Sequence, residues 1–393
     1  MNRKIIIAGA GTGSVFQLTP EVKNLIDDAD IIFSDKRFNA LIPECKRVID
    51  IKNYSELENF TGKILILVSG DPGIFSLMSV IKKRYPDEDI EVLPGISSLQ
   101  VICSKAKETW NDAAILSGHG RSLSVGKFLN MIERNRITVL FCDKNISPSW
   151  ACKNSRIIDD IDIFIGSCLG SDKEIIFSGK PEDFSSREFP EPSIILIRNN
   201  SVYKPERLNL RDKDFIREND IVMTNEAVRS VILSRLEINN DCIIWDIGAG
   251  SGSISVSIAN QFPYSEIHAT ECNPKAADLI SRNASKFHLH NINIHNARTL
   301  EIIDTLPKPS RIFIGGTNGE LSGILERISR MNNAVRLVIA CVTLETFTEA
   351  YEIMRNWENF EAVQISAVLS KPLNTELTLM KANNPVMILS AEK

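Results

Sequence analysis

At 393 residues the chain exceeds what one hydrophobic core organises, so two domains are expected. An apolar share of 43% with 24% charged residues is that of a globular protein, and a net charge of −5 argues against a general nucleic-acid binder. No apolar run approaches the roughly 20 residues of a membrane span. The run after "MNRK" is too short for a signal peptide, and eight scattered cysteines lack the CxxC pairing of a zinc site. The expectation is a cytoplasmic enzyme with no metal and no nucleic-acid or membrane partner.

In chain order, "KIIIAG" (4–9), "DIIFS" (30–34), "KILILVSG" (63–70), "IEVLPG" (90–95) and "AAILSG" (113–118) read as buried strands of a largely parallel sheet. Between them, "TPEVKNLIDDA" and "IFSLMSVIKKRY" carry helical spacing. The first has Thr19 as N-cap, Pro20 at N1 and Glu21 in the first turn. A helix at "LSVGKFLNMIERN", a strand at "ITVLFCD" and strands at 161–168, 174–179 and 193–198 follow. "FPEPSIILIR" sets two prolines before the last of these, which suits an edge strand. Residues 199–219 are polar and poor in apolar side chains. The expected division is therefore 1–200, a linker at 201–219, and 220–393.

The second half alternates more regularly. A helix at "TNEAVRSVILSRL" precedes strand "CIIWDIG" and helix "SISVSIANQF"; strand "EIHATE" and helix "NPKAADLISRNASKF" come next. Strands "NINIHN" and "SRIFIGG", helix "GELSGILERISRM", strand "VRLVIACV" and helix "TLETFTEAYEIMRNW" lead to two final strands at 361–369 and 384–390. This order predicts an α/β domain with a doubly wound sheet. No internal repeat relates the halves.

In "IIWDIGAGSGSISVSIA" (243–259), Asp246 is followed by glycines at 248, 250 and 252, and Glu271 closes the next strand. Glycines permit a tight turn and close approach of a ligand to the backbone. The acidic residue about 20 positions on is placed to accept hydrogen bonds from ribose hydroxyls. Both dinucleotide enzymes and methyltransferases use that geometry. Ser253 stands where a dinucleotide loop has its third glycine, and Asp246 suits a methionine ammonium better than a pyrophosphate. S-adenosylmethionine is the expected ligand.

The stretch "MTNEAVRSVILSRL…WDIGAGSGSISVSIA…E…FIGG…VTLET", about 220–350, resembles the C-15-methylating, C-12-decarboxylating methyltransferase family of cobalamin biosynthesis. The resemblance implies a Rossmann-like class I methyltransferase domain, with cofactor contacts at Thr224, Gly248, Ala249, Gly250, Ser251, Gly252, Glu271 and Ala297, beside the Asp246 already noted. The family's acidic-Gly-Asp-Ala stretch is "HNARTLE" here, so its Asp position is Asn296, which can still hydrogen-bond adenine.

The N-terminal half carries "GAGTGSVFQLTPEV", "LVSGDPGIFSLM", "VLPGISSLQ", "SGHGR" and "VLFCDKN" in that order. Together, over about 3–198, they resemble the tetrapyrrole methylase family, an unrelated S-adenosylmethionine fold of two α/β subdomains; the likeness is greatest to its C-5-methylating members. The resemblance implies cofactor contacts at Ser69, Gly70, Asp71, Ile74, Ser97, Ser98 and Cys142. The loop with Gly9, Gly11 and Thr12 would line the cleft where ring and methyl donor meet. The family's loop proline is Thr12 here, and its glycine shortly after Asp-Pro is missing.

Both resemblances imply two S-adenosylmethionine sites and methylation of a precorrin, or its cobalt form, at C-5 and C-15 with loss of the C-12 acetate, by a homo-oligomer (dimer or tetramer). Alignment and desolvation can supply most of the acceleration of such a transfer. Asp71 and His119 are candidates for hydrogen bonding or proton handling. Arg121, Lys144, Arg229 and Arg298 are candidates for binding substrate carboxylates. Other readings stay open: a single active domain, a nucleic-acid base methyltransferase, a nicotinamide-dependent oxidoreductase, or a non-enzymatic corrinoid binder.

Overall fold

The Ile- and Val-rich runs near the N-terminus pair as a fully parallel sheet. Its strands are β1 (Lys4–Gly9), β2 (Ile31–Ser34), β3 (Val48–Asp50), β4 (Lys63–Val68) and β5 (Ile90–Leu93), in the order β3-β2-β4-β1-β5. Helix α1 (Pro20–Asp28) starts as its sequence predicts, with the Thr19 hydroxyl accepting from Val22 N at 3.2 Å. Helix α2 (Met78–Arg84) follows β4, and α3 (Ser98–Ala106) follows β5 with Ser97 and Gln100 capping each other. This computed structural model describes residues 3–119, 123–239, 241–372 and 377–393. They fall into two units, Met1–Leu123 with Asn135–Val202, and Ser124–Arg134 with Tyr203–Lys393.

The first unit holds a second sheet of β6 (Ala114–Ser117), β7 (Ile137–Phe141), β8 (Ile161–Ser167), β9 (Ile175–Gly179) and β10 (Ser193–Asn199), ordered β6-β7-β10-β8-β9. Only β6 and β7 are parallel here. The strand expected at an edge, β10, is central. Pro190 and Pro192 precede Ser193, so neither removes an N–H from the ladder, and the strand itself is buried. Leu99, Ile102 and Cys103 of α3 pack with Val139, Ile194 and Leu196 of this sheet. Helices α5 (Pro148–Ser155) and α6 (Pro181–Phe184) lie in the same unit.

The second unit also contains α4 (Val125–Arg134), although its sequence stands within the first half. Asn130 fastens it: its amide oxygen accepts from His290 N at 2.9 Å and its amide nitrogen donates to the Pro263 carbonyl at 3.3 Å. A Cβ on Gly126 would lie 2.2 Å from the His290 carbonyl oxygen. The polar segment read as a linker also contributes to this unit, because Leu210 and Phe215 enter its core beside Phe287.

The main sheet of this unit runs β13-β12-β11-β14-β15-β19-β16. Its strands are β11 (Ile243–Ile247), β12 (Glu266–Thr270), β13 (Ile292–His295), β14 (Arg311–Ile314), β15 (Arg336–Cys341), β16 (Glu358–Ile365) and β19 (Val386–Glu392). The first five are parallel, and β19 runs antiparallel to both its neighbours, β15 and β16. Helices α7 (Glu226–Leu236), α8 (Ser253–Gln261), α9 (Pro274–Lys286), α10 (Thr299–Ile302), α11 (Leu321–Ser329) and α12 (Leu344–Met354) connect and cover it. Ile244, Phe313 and Val338 enter one core, while Trp245, Ile312, Ile314 and Leu337 enter the other. Successive residues thus bury on opposite faces, which is why these strands read as continuous apolar runs. Between β16 and β19 the chain makes a separate antiparallel ribbon, β17 (Val368–Pro372) with β18 (Thr378–Ala382), that the sequence reading did not anticipate. Among the described residues no helix is long and apolar enough to cross a membrane.

Alanine in place of glycine inside a helix ordinarily stabilises by some tenths of a kcal/mol. At position 126 the backbone contact reverses that sign. Gly126→Ala should cost about 1–3 kcal/mol in urea denaturation, because α4 must shift off the 290–291 backbone; a neutral or stabilising result would contradict this packing.

Candidate functional site

The chain direction across the second unit's sheet reverses beside β11, which stands between β12 and β14. In open α/β sheets a crevice forms beyond the strand ends at such a point. Here the crevice is a cavity of about 740 Å³, within the range of small-molecule sites. Gly248 opens the loop after β11 with φ +68°, and a Cβ there would sit 2.1 Å from the Gly316 carbonyl oxygen. Glycine is therefore required where the loops after β11 and β14 meet.

Glu271, just past β12, fixes that loop. Its Oε2 accepts from Gly250 N at 2.9 Å and its Oε1 from Asn273 N at 2.9 Å. Oε1 also accepts from the Cys272 thiol at 3.8 Å, so Oε2 is the oxygen that keeps a further acceptor position for a ligand hydroxyl. Asp246 lies below the loop, fully buried. Its Oδ2 accepts from Ser255 N at 2.9 Å and from the Ser255 hydroxyl, while its Oδ1 has no partner. It does for α8 what a capping side chain would, since the N-cap residue is Gly252. Burial, with the negative charge of Glu271 adding to it, pushes the Asp246 carboxyl up to about 6.

Thr224, Gly248, Ala249, Gly250, Glu271 and Ala297 line the cavity, as their sequence positions suggested. Asp246, Ser251, Gly252 and Asn296 are not among the lining residues. Ser251 is buried with its carbonyl accepting from Asn283, Gly252 packs against Ile280, and Asn296 donates to the Glu271 carbonyl at 2.8 Å. They shape the walls from behind. Sequence reasoning missed the Thr270–Thr299 hydroxyl pair at 2.7 Å, the Thr317–Asn318 turn, and Asn383 and Asn384 beside the extra ribbon. The first four lie at or just past strand ends and could have been found from that rule; the last two needed the ribbon.

In the first unit the N-terminal motifs converge. A Cβ on Gly9 would lie 2.4 Å from the Gly70 carbonyl oxygen and 2.6 Å from the Gly95 Cα, so the loops after β1, β4 and β5 touch backbone to backbone. Gly70 N donates to the Gly11 carbonyl at 2.8 Å. Asp71 ties the same loops, its Oδ2 accepting from Gly95 N at 3.0 Å and its Oδ1 from Gly73 N at 2.7 Å. Ser97 and Ser98 begin α3 against Gly70, Ser69 is exposed beside them, and Ile74 N donates to the Asp71 carbonyl. Thr12 donates through N and Oγ1 to the Gln17 amide oxygen. Cys142 is buried just past β7, and burial pushes its thiol up. His119 is exposed, with its backbone N donating to the Ser117 hydroxyl.

The expected carboxylate binders separate. Arg229 is 2% exposed and spends its guanidinium on the Leu210 and Thr224 carbonyls, at 2.7 and 2.8 Å, and on Asp212 at 3.1 Å. That corrects its reading as a substrate contact, because the side chain is buried and is not among the residues lining the cavity. Arg298 does line the cavity, paired with Glu320. Lys144 is exposed after β7, and Arg121 lies outside the described residues.

A glycine cradle at a topological switch point, an acidic residue at the end of the next strand and a buried carboxylate with an unpartnered oxygen define a Rossmann-like, S-adenosylmethionine-using methyltransferase unit. Residues 216–393 match the family model of the precorrin methyltransferase domain, and residues 4–184 that of the tetrapyrrole (corrin/porphyrin) methylases. The chain is 30% identical over 187 residues to cobalt-precorrin-6B C(15)-methyltransferase (decarboxylating) of Salmonella typhimurium, covering 47% of this chain and 96% of that protein. A probable enzyme of the same description from Saccharolobus solfataricus is 34% identical over 189 residues, covering 46% and 94%. Precorrin-6Y C(5,15)-methyltransferase (decarboxylating) of a Sinorhizobium species is 25% identical over 368 residues, covering 87% and 85%. The chain belongs to the precorrin methyltransferase family.

The Asp246 carboxyl sets a pH dependence. Its folded value of about 6 lies above the ordinary aspartate value near 4, so the folded state holds the extra proton between them. Its stabilising contribution is present in full below about pH 4 and is lost as pH rises through about 6. Asp246→Asn should therefore gain on the wild type as pH is raised from 4.5 to 7 in urea unfolding. A difference independent of pH would contradict the assignment.

Proposed function

We propose that the chain methylates precorrin-6Y, or its cobalt form, at C-5 and C-15 and decarboxylates the C-12 acetate, using two S-adenosylmethionine sites in a homo-oligomer. The observation that carries the reading is the second unit's cavity, where the Gly248–Gly250 turn and Glu271 meet at the ends of β11 and β12. The donor set fits S-adenosylmethionine: Glu271 Oε2 has an acceptor position for a ribose hydroxyl, and Asp246 has an unpartnered oxygen below the turn. That cofactor supplies an electrophilic methyl group carried on a sulfonium.

The protein's part is placement and exclusion of water. Gly248 and Gly250 let a ligand approach the main chain, Glu271 fixes its orientation, and buried Asp246 supplies a counter-charge for an ammonium. The ring can take up the electrons released by loss of carbon dioxide, so the decarboxylation requires no second cofactor. In the first unit, the loops joined at Gly9, Gly70 and Gly95 frame the second donor site. Asp71 positions them, since both its oxygens accept from loop amides.

The reading is tested by mass spectrometry of precorrin-6Y, with and without cobalt, after incubation with the protein and S-adenosylmethionine. Gain of two methyl groups with loss of one carbon dioxide is expected. Gly250→Arg, which fills the turn, should abolish decarboxylation and one methylation, and Asp71→Ala should reduce only the other. No mass change on either ring would overturn the assignment; one methyl with decarboxylation would leave only the second unit active.

A further inference from the structure

The charged side chains lining the second unit's cavity, among the described residues, are Asp220, Glu271, Glu320 and Arg298. Three are acidic. A ring bearing several carboxylates meets an unfavourable field there except at Arg298, so the cation's placement decides how such a ring can sit. Arg298 stands just past β13 at the N-cap of α10, where its side chain makes no capping bond. Its Nη2 lies 2.7 Å from Oε1 of Glu320, which precedes α11, and the guanidinium is half exposed. The ion pair thus holds a planar donor fork at the cavity wall and leaves the fork's other N–H groups available.

Resting on the proposed function, we infer that Arg298, oriented by Glu320, anchors a carboxylate that the tetrapyrrole retains. It does not hold the acetate that departs. An ion pair to the departing group would stabilise the bound substrate and be lost as carbon dioxide forms, raising the barrier. A retained carboxylate is gripped equally in ground and transition states, so the contact contributes to KM and not to kcat.

The test compares wild type, Arg298→Ala and Arg298→Lys in decarboxylation kinetics. S-adenosylhomocysteine binding by calorimetry and quenching of protein fluorescence by uroporphyrin III, a polycarboxylate tetrapyrrole, run alongside. Arg298→Ala should raise KM and weaken uroporphyrin binding roughly 10- to 100-fold, the scale of a charge-assisted contact. The kcat should change less than about threefold, with S-adenosylhomocysteine affinity unaltered, and lysine should restore part of the loss. Unchanged KM and uroporphyrin affinity, a fall in kcat alone, or weakened S-adenosylhomocysteine binding would each overturn the inference while wild-type turnover left the function standing. A wild type that neither decarboxylates precorrin nor binds uroporphyrin would sink the functional reading itself, and the anchor with it.

Discussion

Main chain meeting main chain is the constraint on which both halves depend. In the second unit Gly248 abuts Gly316, and in the first Gly9, Gly70 and Gly95 abut one another. At neither junction is there room for a Cβ. The sheets bring strand ends side by side about 5 Å apart, but loops leaving those ends collide unless their side chains are absent. Removing them lets three motifs far apart in sequence share one wall in the first unit. In the second it forms the crevice floor.

The electrostatics follow from that geometry. Glu271 is drawn onto the glycine turn because Gly250 N points at it, and the same bond keeps the carboxylate at the cavity wall. Buried Asp246 accepts from the Ser255 amide and hydroxyl in the first turn of α8, where a glycine offers no cap. One aspartate therefore serves the fold through one oxygen and leaves the other unpartnered. An unpaired buried acceptor is costly, and the cationic ligand proposed for the crevice would relieve that cost. Arg229 shows the opposite outcome: it is buried, both terminal nitrogens bond to the 210–224 segment, and it is not among the cavity-lining residues.

Much of this was legible in the residues, for identifiable reasons. Parallel strands covered on both faces produce apolar runs, so the β-α order of the second half could be read directly. Strand-end glycines followed by an acidic residue located the cavity at Gly248 and Glu271. What escaped depended on partners distant in sequence. The central place of β10 follows from pairing with β7 and β8, which nothing in "FPEPSIILIR" encodes. The membership of α4 depends on Asn130 and Gly126 meeting the 290 loop, a contact that nothing within the helix's own sequence encodes. Asp71 was visible as a candidate, but its use as a tie between loops required the positions of Gly73 and Gly95. Leu210 and Phe215 are two of the few apolar residues in a polar stretch, and their spacing alone did not show that the supposed linker reaches a core.

The central claim is that one chain carries two unrelated methyl-donor sites. Titration calorimetry of the full chain with S-adenosylhomocysteine measures this directly through stoichiometry. The account predicts two equivalents bound per chain, with one lost on blocking the Gly248–Gly250 turn and the other retained. A stoichiometry of one, abolished altogether by that change, would contradict it.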